Sequence, residues 1–378
     1  MSPRRSCAVY AITRHGVAVG RKIVEALPGA DLFVSEKMAV SAPPSARRFT
    51  LPMGPLLAEV FTAYDCHVFV ISVGAVVRMV APLLQNKKID PAVVCVDDAA
   101  RFAICVLSGH VGRGNAFTER VASILEAMPV VTTASDAVGT LTVDILGRDL
   151  GWVLDDPDRN VTRGCAAVVN AAPVLLVQEA GEPSFWPEDR ALPEGVSYAV
   201  TLEDVDPMAW GILLVVTDRD LEKAHPAHFA NAVVYRPKSL VLGVGCDRGT
   251  PADLVERGVD KLLSDHGLSS KSVKELATID LKADEPALLA LSERRRWPLR
   301  IFSAAELDAQ PGIENPSETV KRHVGARGVA EPAALRAAGA ERLLVAKKTY
   351  TEVGAGRSMT FAVARIPFPK RRKDGHDG

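Results

Sequence analysis

Residues 70–115 read VISVGAVVRMVAPLLQNKKIDPAVVCVDDAARFAICVLSGHVGRGN, and their reading decides the fold. Three apolar runs in this stretch each end in small or polar residues. Residues 70–73 read as the end of a buried strand, and Gly74 turns it into a helical stretch carrying Arg78. Residues 92–96 form a second strand, closed by Asp97 and Asp98. Residues 102–107 form a third, which delivers Ser108, Gly109 and His110 to a glycine-rich turn. Open α/β sheets place their ligand crevices where strand ends feed polar turns into helices. This stretch is therefore the first candidate for a functional site.

The flanking sequence repeats the pattern. Strands are expected over 7–12 and 31–34, and helices over 16–27, 56–63 and 117–127, where Val121, Ile124 and Leu125 share one face. Residues 41–48, with two prolines, read as a loop ending in Arg47 and Arg48. Residues 130–132 are a strand whose polar end runs from Thr133 to Asp136. Alternating strands and helices imply a layered α/β domain with a largely parallel sheet over 1–136.

Residues 137–236 form a smaller α/β middle domain. Strands are expected over 173–178, 197–200, 211–217 and 233–235, a proline- and acid-rich loop over 182–195, and a polar connection over 224–231. A third α/β domain spans 237–368. It opens with a strand over 239–244, whose end overlaps the glycine-rich run GVGCDRGTP, and continues with a helix over 251–264. Ser303 with Glu306 has capping-box spacing, and Ser317 in the ENPSE run is a candidate N-cap. The charged end from 369 to 378 is expected to be a disordered tail.

Composition bounds the function. A chain of 378 residues is too long for one ordinary core. With 48% apolar and 24% charged residues it fits a soluble, cytoplasmic globular protein. A formal net charge of −1 gives no basic field for nucleic acid, and no apolar run is long enough to cross a bilayer. The six cysteines form no C-x-x-C pair and the eight histidines are scattered, so buried thiols are expected and a protein-built metal site is not.

Three polar clusters can carry chemistry. In the turn from Ser108 to Asn115 (SGHVGRGN), three glycines let backbone N–H groups approach a ligand, and the following helix points its N-terminus at an anion. His110 titrates near neutral pH and is a candidate base. The plainer reading is that His110 caps a turn the glycines merely shape. The second cluster, Gly243 to Thr250, also follows a strand. Three residues separate Gly245 from Gly249, so the dinucleotide fingerprint is not met, and a methyltransferase loop would carry an acid at Gly243. The third, around Asp280, Lys282, Asp284 and Glu285, is a charged turn able to wall a pocket. Lys347 and Lys348 end a strand and can meet an anion. Arg14, Arg47, Arg48, Arg78 and Arg113 all fall near element ends of the first domain, where guanidinium forks suit a carboxylate-rich ligand.

The quoted stretch from Gly74 to Asn115 resembles the N-terminal domain of the CbiG family, the cobalt-precorrin-5A hydrolases of anaerobic cobalamin biosynthesis. LVLGVGCDRGTP, ATIDLKADEPALLAL, IFSAAEL and ENPSE resemble the family's C-terminal domain, which is similar to the stand-alone protein CobE. The resemblance implies a cobalt corrinoid substrate carrying a δ-lactone between the ring A acetate and C20. Water opens the lactone and C20 leaves with its methyl as acetaldehyde, giving cobalt-precorrin-5B. It implies no cofactor of the protein's own, since cobalt arrives in the substrate. Other enzymes of the pathway and a second copy of the chain are candidate partners.

On this reading His110 is the general base, Asp97 or Asp98 orients it, and Ser108 completes the catalytic set. Backbone N–H groups from Gly112 to Asn115 meet the oxyanion, contributing ~3 kcal/mol per donor. Gly74, Arg78, Gly109, Gly112, Asn115 and Thr133 are the expected substrate contacts in the first domain. Gly245, Arg248, Gly249, Thr250, Asp280, Lys282 and Asn315 are those of the third. An S-adenosylmethionine-dependent corrinoid methyltransferase and a non-catalytic corrinoid carrier remain the alternatives.

Overall fold

The computed structural model describes residues 4–135, 139–187, 189–352 and 356–369. Asp136 and the segment from Lys370 onward, expected as a strand's polar end and a disordered tail, lie outside them. The described residues fall into two compact units, 1–145 and 146–378.

The first unit is built on seven strands: β1 (Arg5–Ala11), β2 (Ala30–Ser35), β3 (Arg47–Phe49), β4 (Tyr64–Val70), β5 (Ala92–Val96), β6 (Phe102–Leu107) and β7 (Met128–Val130). Their spatial order is β3-β2-β1-β4-β5-β6-β7. The first five are parallel. Helix α1 (Arg14–Ala26) starts at Thr13, whose side chain accepts from the Gly16 N–H at 2.9 Å. It buries Val17 and Ile23 on one sheet face together with Val121 and Ala122 of the later helix Gly114–Leu125. Helices α2 (Gly54–Val60) and α3 (Val73–Val80) cover the other face through Leu57, Val76 and Val80. Both faces are thus apolar, which is why these strands read as unbroken hydrophobic runs.

Two expectations are corrected. Arg47 and Arg48 lie not in a loop but in the edge strand β3, paired with Phe33 and Val34. More consequentially, β6 runs antiparallel to β5, and β7 runs parallel to β6. Five residues join β5 to β6, too few for the dozen or more that a parallel crossover needs, so the chain reverses in a hairpin. The sheet therefore has two distinct rims. Thr13, Gly74 and Asp97 follow the C-terminal ends of β1, β4 and β5 at one rim. The turn after β6 and the residues after β7 emerge at the other, beside the starts of the parallel strands.

The second unit carries two five-stranded sheets. In the first of these, β9 (Val174–Gln178), β10 (Val196–Ala199), β11 (Ile212–Val216) and β12 (Ala232–Arg236) are parallel, and the short β8 (Val153–Leu154) is antiparallel to β12. The polar connection expected over 224–231 instead holds the end of one short helix, Leu221–Ala224, and the whole of another, Pro226–Ala230. They bury Leu221 and Phe229 under this sheet. The last sheet runs β15 (Leu299–Phe302), β14 (Val273–Ile279), β13 (Leu240–Cys246), β17 (Ser358–Arg365), β16 (Leu343–Thr351). β13, β14 and β15 are parallel, and β17 is antiparallel to β13. The expected capping box at Ser303 and Glu306 is present, and Ser317 caps the helix Glu318–Val324.

A buried carboxylate ties these two sheets together. Asp218, fully buried, accepts two hydrogen bonds from the Arg365 guanidinium at 2.7 Å each and one from Ser239 Oγ at 2.9 Å. Bidentate pairing of this kind compensates the cost of burying the charge.

Candidate active site

The turn after β6 is tightly closed on itself. Ser108 has a left-handed φ of 57°, the Gly114 N–H donates to its carbonyl at 2.9 Å, and the Asn115 N–H donates to the Gly109 carbonyl at 2.9 Å. The glycines are required by close approach. A Cβ on Gly112 would lie 2.4 Å from the Ser108 Cβ, and one on Gly114 would lie 2.6 Å from the Leu107 carbonyl oxygen. Ser108 Oγ donates to the Asp90 carbonyl at 3.1 Å, which fastens the turn to the start of β5. Ser108 is thus a brace for the turn.

This packing aims the His110 ring at two partners that were not expected. Nδ1 lies 3.3 Å from Asp144 Oδ2 and 3.2 Å from Oδ1. Ser135 Oγ lies 3.1 Å from Nε2. An ionised carboxylate only accepts, so Nδ1 carries the proton and Nε2 is the acceptor facing the Ser135 hydroxyl. Asn115 Nδ2 donates to Thr133 Oγ1 at 2.8 Å, so Thr133, an expected substrate contact after β7, is brought to the same rim. A cavity of about 300 Å³ lies against the turn, lined by Arg4, Lys88, Asp90, Gly112 and Arg113 among others.

Asp97 and Asp98 do not orient His110. The Asp97 carboxylate accepts from the N–H groups of Arg101 at 2.8 Å and Phe102 at 2.7 Å, closing the hairpin. Burial pushes its pKa up, but those donors and the Arg101 charge outweigh burial and hold it below the usual range. Asp98 accepts from the Thr13 hydroxyl. Gly74 and Arg78 lie at the Asp97 rim, where Arg78 Nη1 donates to the Gly74 carbonyl at 2.8 Å. The hairpin separates these residues from His110. The five arginines are likewise dispersed, with Arg14 and Arg78 at one rim and Arg113 at the other.

The second and third clusters together make a pocket of about 280 Å³, lined by Gly245, Cys246, Asp247, Lys282, Ser317, Arg327, Lys347 and Thr360 among others. Of the expected contacts, Gly245 and Lys282 line it. The rest build its walls. Arg248 donates to Asp284 Oδ1 at 3.0 Å and to the Leu281 carbonyl at 2.8 Å. The Gly249 N–H donates to the buried Glu285 at 3.0 Å. Thr250 Oγ1 donates to the Asp247 carbonyl, and Asp280 accepts from the Leu281 N–H. The Asn315 side chain donates to Glu331 Oε1 at 2.7 Å.

Glu331 is the organiser that sequence reasoning missed. Only 2% exposed, it accepts from the N–H groups of Glu314, Asn315 and Lys347 besides the Asn315 amide. Burial pushes its pKa up, and these donors together bring it below the usual value. Cys246 offers no thiolate, because burial pushes its pKa up to about 11. Gly243 does not face the pocket. A Cβ there would lie 1.8 Å from the carbonyl oxygen of Ala330, at the start of the helix Ala330–Ala338. Packing therefore explains the glycine where a methyltransferase loop would carry an acid.

Residues 55–136 match the family described as cobalamin synthesis G N-terminal, 141–237 the cobalamin biosynthesis central region, and 240–364 the cobalamin synthesis G C-terminus. A cobalt-precorrin-5A hydrolase from Priestia megaterium is 40% identical over 370 residues, which cover 97% of this chain and 97% of that protein. The chain belongs to the CbiG family. A second CbiG relative, the cobalt-precorrin-5A hydrolase of Salmonella typhimurium, is 29% identical, covering 87% of this chain and 91% of that one. Protein CobE from Sinorhizobium sp is 41% identical over 110 residues, covering 29% of this chain and 71% of that protein. The resemblance read from the two ends of the sequence is thus that of CbiG throughout, middle region included.

Proposed function

We propose that this chain is a cobalt-precorrin-5A hydrolase in which His110, held by Asp144, is the proton acceptor. The hydrolase assignment follows from identity of 40% across nearly the whole length of both chains. The role of His110 rests on one observation, the imidazole fixed by Asp144 on one side and facing a hydroxyl at 3.1 Å on the other. An oxygen nucleophile gives its proton to Nε2 as it attacks the lactone carbonyl. The lactone C–O bond breaks, and the freed C20 oxygen becomes the aldehyde oxygen as the carbon–carbon bond to the ring breaks. The electron pair passes into the conjugated macrocycle. Cobalt is part of the substrate, and no resident cofactor is invoked.

In the third sheet's pocket, Lys282, 3.7 Å from Glu285, and Lys347, donating to the Asn315 carbonyl at 3.0 Å, carry ammonium groups suited to the acetate and propionate arms of a corrinoid. The chain would act in the cytoplasm, with other enzymes of the pathway or a second copy of itself as candidate partners. None of the described helices is long and apolar enough to cross a membrane.

Purified protein incubated with cobalt-precorrin-5A should release one acetaldehyde per substrate. His110→Ala should bind the corrinoid and release none. A wild-type protein that binds the corrinoid without releasing acetaldehyde would make it a carrier. Wild-type turnover in the His110 variant would remove the histidine from the chemistry.

A further inference from the structure

The hydroxyl facing His110 belongs to a serine that is itself positioned to react. We infer that Ser135 is the nucleophile, and that the lactone is opened through a serine ester on the enzyme before water enters. The inference rests on the reading of His110 as proton acceptor and specifies which oxygen gives up the proton.

Three observations carry it. Ser135 Oγ, His110 and Asp144 form a continuous relay, with 3.1 Å between Oγ and Nε2 and 3.3 Å between Nδ1 and Asp144 Oδ2. That is the constellation that activates a serine in unrelated folds, recognised by geometry and roles and not by order along the chain. Next, the ring is locked in the required tautomer, because Asp144 holds the proton on Nδ1 and leaves the Nε2 lone pair toward the hydroxyl. Finally, the relay is shielded from bulk solvent. Ser135 is 7% exposed, and the side chains of His110 and Asp144 are 15% and 20% exposed. Partial burial strengthens the charge interactions of the relay.

The steps balance without a further reactant. The Ser135 proton moves to Nε2 as Oγ bonds to the lactone carbonyl carbon. The tetrahedral oxyanion collapses and the bond from the carbonyl carbon to the lactone ring oxygen breaks. The departing oxygen takes the proton from His110, leaving the ring A acetate as an ester of Ser135; when the carbon–carbon bond breaks, that hydroxyl proton and the bond's electron pair pass to the macrocycle, and the C20 unit leaves as acetaldehyde. Water then gives a proton to His110 and attacks the ester. Ser135 leaves and recovers its proton, so one water is consumed overall.

Two measurements test this on the full-length protein. Diisopropyl fluorophosphate, followed by intact mass and peptide mapping, should phosphorylate Ser135, and His110→Ala should abolish the labelling. Ser135→Ala should lower acetaldehyde release at least ~10³-fold while retaining corrinoid binding and the wild-type unfolding midpoint. Absence of label at Ser135 in active wild-type protein, or near-normal turnover of Ser135→Ala, would overturn the nucleophile. If Ser135→Ala turns over while His110→Ala does not, the base stands and the serine falls. If both variants turn over, both fall.

Discussion

Two glycine-rich turns, Ser108 to Asn115 and Gly243 to Thr250, look interchangeable in the sequence: each follows a buried strand and opens a helix. In the folded chain their glycines answer different demands. Those of the first let the turn fold onto its own backbone, which fixes the direction of one histidine. In the second, Gly243 accommodates a helix that begins almost ninety residues later, with a backbone oxygen 1.8 Å from where a Cβ would stand. A glycine-rich turn is thus a statement about what must come close, and only the partner says whether that is a reacting side chain or a packing surface.

The largest test of this contrast lies at the first turn. Asp144→Asn should lower kcat for acetaldehyde release by ~10²–10⁴-fold, because an amide no longer fixes the Nδ1 proton. The unfolding midpoint should barely move. Gly243→Ala should do the reverse, costing ~3 kcal/mol by overpacking against the Ala330 carbonyl while folded molecules keep their turnover. Denaturant unfolding alongside specific activity separates the two. A Gly243 variant that is stable yet inactive would make the second turn a reactive one as well.

A smaller effect is expected at Glu331. In Glu331→Gln the amide nitrogen would face two N–H donors whichever way it turns, at a cost of ~2 kcal/mol. Because the folded-state pKa of Glu331 lies below its ordinary value of 4.5, its contribution is present above that value and is lost as pH falls through the folded one. Acid unfolding curves of wild type and variant should therefore converge at low pH, and a constant gap would refute the charge-based account. The smallest effect belongs to the pocket of the second turn. Lys347→Met should raise KM ~10-fold with kcat nearly unchanged, as expected when one charge-assisted contact to a bound carboxylate is lost.

Much of the fold was legible because apolar runs bounded by small residues marked the strands. Ala92–Val96 and Phe102–Leu107 fall where the sequence places them. The direction of Phe102–Leu107 was also legible in principle, since five connecting residues forbid a parallel crossover. A parallel Phe102–Leu107 would bring Asp97 beside His110; the hairpin puts them at opposite rims. The candidate base itself was visible, because histidine in a glycine turn is uncommon chemistry in a confined place. Its partners were not: Ser135 and Asp144 sit 25 and 34 residues downstream, outside any regular pattern. Glu331 was hidden for a related reason. On a helix pattern an acid reads as solvated, and nothing local says that four donors converge on it.

The reversal between β5 and β6 also sets a length. The six residues of β6 span about 20 Å of extended chain, so the rim carrying Thr13 and Gly74 and the His110 turn stand roughly that far apart across the sheet. No single carbonyl group can touch both. A group bound at the Thr13 rim would be a bystander to the chemistry at His110. A substitution at Thr13 or Gly74 therefore reaches the chemistry at His110 only through the strands between the two rims.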